Sequence, residues 1–518
     1  MRRICFVLIL SMLLFCGCSK IDKLEKNAVR IDLGDDGIYV AGELVKTDAT
    51  NAVYVANDIV YYESGKDFTY GEGTEKDAHS TEEADAHTVV HITKPGRYVL
   101  SGKLSLGQIA VDLGEDAETD PKAVVTLILK DVDINCEVAP AIIFYNVYEC
   151  CSSDEENATK DIDTSKAGAN VIIADDTENN INGSYVEKIY KSYELNEEGT
   201  EVVDSKKLHK YDGAFYSKKT MNINGENKGN GILNIKAENE GLDSELHLTI
   251  NGGIINITSG NDGINTNEDN VSVTTINGGM LNILCDGSTG EGDGIDSNGW
   301  LVINGGTVIA QACATSGDAG IDSDKGIYLN GGKVIASGNM LDHIAGGNQT
   351  YVVFNFASRQ NCNSTYTLKN SDKKVVGEYS PANAFTCLIV AGDELTPGDY
   401  TFWQGDTQLT ASSMKNMQGG MPQGERPEMP NGEQNEQGTP PEIPEGMERP
   451  EKPNGERPQM PNGETPQGER PEMPNGTTPP DNGGGMMGGN MMPGGETSTT
   501  FTITKSGNQF SNVGPVAS

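Results

Sequence analysis

Between Met221 and Ala345 the chain repeats itself, and this repeat decides what it can fold into. Ile223-Asn224-Gly225-Glu226 returns as Ile250-Asn251-Gly252-Gly253, Ile276-Asn277-Gly278-Gly279, Ile303-Asn304-Gly305-Gly306 and Leu329-Asn330-Gly331-Gly332, at steps of 27, 26, 27 and 26 residues. A second motif runs between: Gly241-Leu242-Asp243-Ser244, Gly263-Ile264-Asn265-Thr266, Gly294-Ile295-Asp296-Ser297 and Gly320-Ile321-Asp322-Ser323. A fixed period of this length means stacked units. No unit has room for a long helix. Alternating runs such as Ile254-Ile255-Asn256-Ile257 and Thr307-Val308-Ile309-Ala310 read as strands. Asn-Gly and Gly-Gly supply the positive φ of tight corners. The pattern predicts an all-β solenoid, a parallel β-helix, in which equal positions of successive coils lie about 4.8 Å apart. The Ile before each Asn would then stack in the core, and the Asn side chains would form an amide ladder.

Composition narrows the function classes. Acidic residues number 76 against 38 basic, a formal charge of −38, which argues against nucleic acid as a partner. The 63 glycines and few aromatics suit a turn-rich solenoid. Residues 1–18 have the form of a targeting segment: Arg2 and Arg3, an apolar run from Cys5 to Phe15, then Cys16-Gly17-Cys18-Ser19. A small residue before Cys after such a run resembles a bacterial lipobox. That resemblance implies export, lipidation of Cys18 and attachment to the outer face of the bacterial cell membrane; an ordinary signal peptide cut nearby is the alternative. Seven further cysteines show no CxxC pair, so a zinc site is not expected.

The organisation expected along the chain is a tether over 19–50, the β-helix over 51–347 and a small C-terminal β cap over 348–413. A disordered Pro/Gly/Met-rich segment covers 414–498, and a terminal strand over 499–518 returns to the cap. Polar stretches at Cys150 to Ser165 and Glu187 to Lys210 read as insertions gathered at turns.

The repeat also aligns acids. Asp243, Asn265, Asp296 and Asp322 form one column; Glu240, Asp262 and Asp293 precede it by three residues, and Glu245, Asn267, Asn298 and Asp324 follow by two. Carboxylates one coil apart repel by about 3–4 kcal/mol per pair at an effective dielectric near 20. A cation between coils would relieve that repulsion. Calcium accepts six to eight oxygens from carboxylates, amides and carbonyls, all of which this column contains. The metal candidates are Asp243, Asp262, Asn265, Asp293, Asp296, Asp322 and Asp324, grouped around Asp293, Asp296 and Asp322 and around Asp243 and Asp262. The competing reading is a solvated acidic face.

Ile92-Thr93-Lys94-Pro95-Gly96-Arg97-Tyr98-Val99-Leu100-Ser101-Gly102 and its continuation to Asp112 resemble the opening of the carbohydrate-binding β-helix domain of clostridial lipoproteins. The Asn-Gly-Gly and Asp-Gly-Ile-x-Ser coils resemble its body, over roughly residues 50–345. The resemblance implies a right-handed parallel β-helix shaped like pectate lyases, bound calcium, and binding of cellulose-like or acidic plant polysaccharide without catalysis. Trp300 and Tyr328 are the aromatic candidates for sugar contact, although Trp300 serves equally well as a turn-packing residue. Two alternatives stay open. One is a calcium-dependent polysaccharide lyase with Lys325, Lys236 or Lys333 as base. The other is a structural adhesin or envelope spacer.

Overall fold

The computed structural model describes residues 24–413, 497–505 and 507–515. The lipobox with Cys18 and residues 414–496 lie outside them. The fold is nearly all β; among the described residues the one α-helix is Thr81–Asp85, five residues closed by a capping box of Ser80 and Glu83. No described helix is long and apolar enough to cross a membrane.

Each coil of the repeat contributes strands to parallel stacks. The first stack runs through Ala169–Ile173, Met221–Gly225, His247–Ile250, Val273–Ile276, Trp300–Ile303 and Ile327–Leu329. The second runs through Glu178–Gly183, Ile232–Ala237, Ile254–Ser259, Met280–Cys285, Thr307–Gln311 and Lys333–Gly338. The third, of seven strands, carries Gly213–Ser217, Glu240–Ser244 and Ile264–Thr266 at one end. Alternation explains the packing. Leu127, Val171, Ile223, Ile250, Ile276, Ile303 and Leu329 are successive register partners, and all are completely buried. Each such side chain contributes about 1.5–3 kcal/mol of burial.

An Asn follows each of the last five of these residues, from Asn224 to Asn330, faces outward and bonds to its equivalent. The Nδ2 atoms of Asn251, Asn277, Asn304 and Asn330 donate to the Oδ1 of the preceding rung at 2.9, 2.8, 2.8 and 2.8 Å. The expected amide ladder is therefore present. A second ladder, which the spacing did not reveal, joins Asn282, Asn256, Asn234 and Asn180 on the neighbouring stack. At the corner, Gly279, Gly306 and Gly332 have φ of 90°, 80° and 82°. A Cβ there would lie 2.7 Å from the backbone of the previous coil, which restricts the position to glycine.

The described structure reaches further toward the N-terminus than the expected solenoid. Val29–Leu33, assigned by sequence to a tether, pairs in parallel with Gly96–Leu104 and buries Ile31 and Leu33. Arg30 and Asp32 alternate outward, so the charge that suggested a tether is only one face of a strand. The charged insertion after Glu187 folds as an antiparallel hairpin, Tyr190–Leu195 against Val202–Lys207. At the other end, Lys333–Gly338 pairs antiparallel with Phe385–Ala391, which in turn pairs with Tyr351–Gln360. Gly507–Pro515 joins Tyr351–Gln360 and Thr407–Ser413. These strands occupy the last edge of the repeat and enclose an aromatic core in which Phe354 stacks on Phe402 at 4.0 Å.

Candidate functional site

The second motif builds the site by simple steric rules. Leu242, Ile264, Ile295 and Ile321 point inward and are completely buried. The Gly before each has no room for a side chain: a Cβ on Gly263 would sit 2.1 Å from Ile283 Cγ2, and one on Gly294 2.3 Å from the Gly320 carbonyl. The closing Ser turns the corner, since Ser244 Oγ donates to the His247 carbonyl at 3.0 Å and Ser297 Oγ to the Trp300 carbonyl at 2.9 Å. Between Ile and Ser stands the acid column. Asp243 faces Asn265 in register, and backbone N–H groups of Asp296 and Asp322 donate to the carbonyls of Ile264 and Ile295 in the coils before them.

The part of this column from Glu240 to Asn265 is buried, which excludes the solvated-face reading there, whereas Asp293, Asp296 and Asp322 are half-buried and Asp324 is exposed. Asp243 has no exposed surface, and Glu240, Asn265 and Asp262 are all under a tenth exposed. Burial, and then neighbouring carboxylates, raise the carboxyls of Glu240, Asp243, Asp262, Asp293, Asp296 and Asp322. Glu240 is pushed up to about 8 by burial and by Asp212. Asp293 is raised to about 9 by burial and Asp262, and Asp322 to about 7 by burial and Asp342. Asp296 reaches about 6 through burial and Asp324. Asp243 and Asp262 are held well above the carboxylate range by burial and by Glu240.

Hydrogen bonding accounts for only part of the column. Asn265 Nδ2 donates to Glu240 Oε1 at 2.9 Å and to Asn267 Oδ1 at 3.0 Å, while Asn267 Nδ2 donates to Asp243 Oδ1 at 2.6 Å. Glu240 Oε2, Asp243 Oδ2, Asn265 Oδ1 and Asp322 Oδ1 are buried without a hydrogen-bond donor. When the carboxyls are ionised, all four can only accept. Leaving such a group unsatisfied costs about 1–3 kcal/mol, more if it is charged. An oxygen-seeking cation is the partner that fits this donor set.

The grouping differs from the one drawn from spacing. Asp262 Oδ1 accepts from the Asp293 N–H at 2.6 Å, and Asp293 Oδ1 from the Ala319 N–H at 2.5 Å, so these two acids clamp one coil to the next. Asp243 instead sits in the field of Glu240, Glu245 and Asp212. Asp322 sits in that of Asp342, Asp296 and Asp324. Sequence reasoning missed Asp212, a member of Asp212-Gly213-Ala214-Phe215-Tyr216-Ser217, which is the same motif with one residue inserted. It also missed Asp342, whose Oδ2 accepts from the Ser323 N–H at 3.1 Å. Among the described residues, only Glu149, Cys150 and Cys151 bring three His, Cys, Asp or Glu ligand atoms within 4.8 Å of one another. Glu149 is already committed to Thr220 and Cys151. The column acids stand farther apart, so amide and backbone oxygens would be needed to complete a shell.

The other candidates are dispersed. Lys325 Nζ lies 5.0 Å from the Trp300 ring centroid, and Lys160 Nζ 5.2 Å from that of Tyr328, so both rings carry an ammonium. Lys236 and Lys333 are exposed on strands of the second stack, away from the column.

No curated protein matches this chain. Among solved structures, the polysaccharide lyase-like protein from C. thermocellum, studied as a gadolinium derivative, is similar over 62% of this chain and 93% of its own, with 18% identity and a TM-score of 0.35. The model of the carbohydrate-binding domain-containing protein family matches residues 86–380, more than half of the sequence. The chain therefore belongs to the carbohydrate-binding domain-containing protein family.

Proposed function

We propose that this protein binds extracellular polysaccharide in a calcium-dependent, non-catalytic manner. In this proposal its coils wind as a right-handed parallel β-helix, and a lipid on Cys18 holds it to the outer face of the membrane. Family membership supports a carbohydrate partner. The observation that carries the calcium dependence is the set of four buried acceptor oxygens without donors, on Glu240, Asp243, Asn265 and Asp322. Glu240, Asp243 and Asn265 would hold one ion, and Asp296, Asp322 and Asp324 another. Bound there, calcium supplies positive charge that lets stacked carboxylates ionise inside the fold. The protein's own part is to hold the coils in register, so that the flat sides of the solenoid present an extended surface suited to a polymer.

Sedimentation of the mature chain with insoluble cellulose and with covalently cross-linked polygalacturonate, with and without chelator, tests this. Retention that chelation abolishes, with no unsaturated product released, is expected. Retention on neither polymer overturns the binding function, and release of ultraviolet-absorbing products replaces it with lyase chemistry.

A further inference from the structure

We infer that the sugar chain lies in a groove between the loop at residues 160–165 and the outward face of the first strand stack, and that the chain it takes is a neutral one. This rests on the polysaccharide-binding reading above and assigns it a place and a chemical class.

The floor of the groove is set by register. Asn222, Thr249, Thr275 and Val302 line it and are successive partners along the outward face, with Tyr328 next in the column. Two residues on, the amide ladder Asn224, Asn251, Asn277, Asn304 and Asn330 runs beside them. The loop is pinned at both ends of this column. Thr164 Oγ1 donates to Thr249 Oγ1 at 2.9 Å, and the Thr164 carbonyl accepts from Asn222 Nδ2 at 2.7 Å. At the far end Lys160 rests on the Tyr328 ring. Between the pins lies a groove of about 600 Å³. Four coil steps at about 4.8 Å make its floor roughly 19 Å long, the length of an extended oligosaccharide and more than a single sugar needs.

Its chemistry suits hydroxyl groups. Each ladder amide gives one N–H to the rung before it, which leaves a second N–H and a carbonyl lone pair free on every rung. A sugar hydroxyl both donates and accepts, so one chain can use both along the ladder. Asn222 makes the same point independently. It is 5% exposed and lines the groove, and its Oδ1 has no donor. A ligand hydroxyl at that end would satisfy it. Charge selects the class: the loop presents exposed Asp161 and Asp163, and its Lys160 is ion-paired with Asp161 at 2.6 Å. Among the described residues Lys160 is the one cation in the lining and is already paired, so a uronate carboxylate would meet no free positive partner there, whereas neutral hydroxyls need none. The acid column lies on a different strand stack, so it does not form part of this groove.

Native affinity electrophoresis of the full mature chain in calcium, with hydroxyethylcellulose or polygalacturonate in the gel, tests the assignment. Wild type should be retarded by hydroxyethylcellulose. Thr275→Glu should weaken that retardation by about tenfold or more, and the exposed Asn277→Ala by several fold at a temperature well below its melting, which should fall only slightly through the loss of two exposed ladder hydrogen bonds. Asn277→Ala carries the test if Thr275→Glu fails to fold. Wild-type retardation that both variants retain overturns the groove and leaves the binding function standing. Retardation by polygalacturonate alone overturns the neutral class. Retardation by neither polymer removes the binding function and this inference with it.

Discussion

Asn265 Nδ2 donates to Glu240 Oε1 across one coil step at 2.9 Å, and the remaining oxygen of each partner, Glu240 Oε2 and Asn265 Oδ1, is buried with no donor. The pair is half-satisfied. Asn265→Asp removes the donor and adds a carboxylate facing Asp243. Without metal it should lose about 1–3 kcal/mol of stability; with calcium the loss should shrink, because a carboxylate is a better ligand than an amide. Urea unfolding in chelator and in calcium measures both, and equal losses in the two conditions would count against an ion at this position.

Stability should also depend on pH in a direction set by the same groups. Glu240, Asp293, Asp296 and Asp322 hold their protons to about 8, 9, 6 and 7, against ordinary values of 4.5 for Glu and 3.8 for Asp. Between those limits the folded state binds protons that the unfolded chain has released. These groups therefore favour folding most below about pH 4, and that contribution is lost as pH rises toward 9. Calcium displaces these protons, so its stabilisation should grow over the same window. Melting in chelator at pH 5 and 8.5 should show the higher temperature at pH 5, and calcium should narrow the gap.

Gly263→Ala places a methyl 2.1 Å from Ile283 Cγ2 and 2.6 Å from the Gly294 carbonyl. A loss of about 1–3 kcal/mol or more is expected from such overpacking. Gly317→Ala meets nothing within 4 Å and should be neutral. Chemical denaturation of the two variants side by side checks the tight stacking of the coils.

Ile276→Ala opens a hole in the middle of the central Ile column. The expected cost is about 2–5 kcal/mol. Stacked repeats are coupled chiefly to their neighbours, so hydrogen exchange should accelerate most in the strands holding Ile250 and Ile303, its register partners.

The stacking of the coils was legible in the sequence because each rung is written with nearly the same letters, so the Ile column and first amide ladder could be read from spacing alone. Val29–Leu33 was not, because three of its five residues are apolar and the two charged ones dominate a local reading. The second ladder was hidden for another reason. Asn180, Asn234, Asn256 and Asn282 stand in rungs that differ in length, at intervals of 54, 22 and 26 residues. In the acid column, spacing found Asp243, Asp296 and Asp322. It could not find Asp212, where one inserted residue breaks the motif, or Asp342, which lies beyond the last repeat of it. Spacing likewise could not distinguish an acid that clamps a backbone N–H, as Asp262 and Asp293 do, from one left with an unpaired oxygen.

Calorimetric titration of calcium into the chelator-treated mature chain, alongside thermal unfolding, tests the acid column most directly. Wild type is expected to bind calcium and to gain about 2.7 kcal/mol when the free ion reaches a hundred times Kd. Asp243→Asn with Asp322→Asn should lose most of the binding and of the stabilisation. Wild type that binds no calcium and melts at the same temperature with and without it, or a double variant that binds as wild type does, would contradict the assignment of the column as a calcium site.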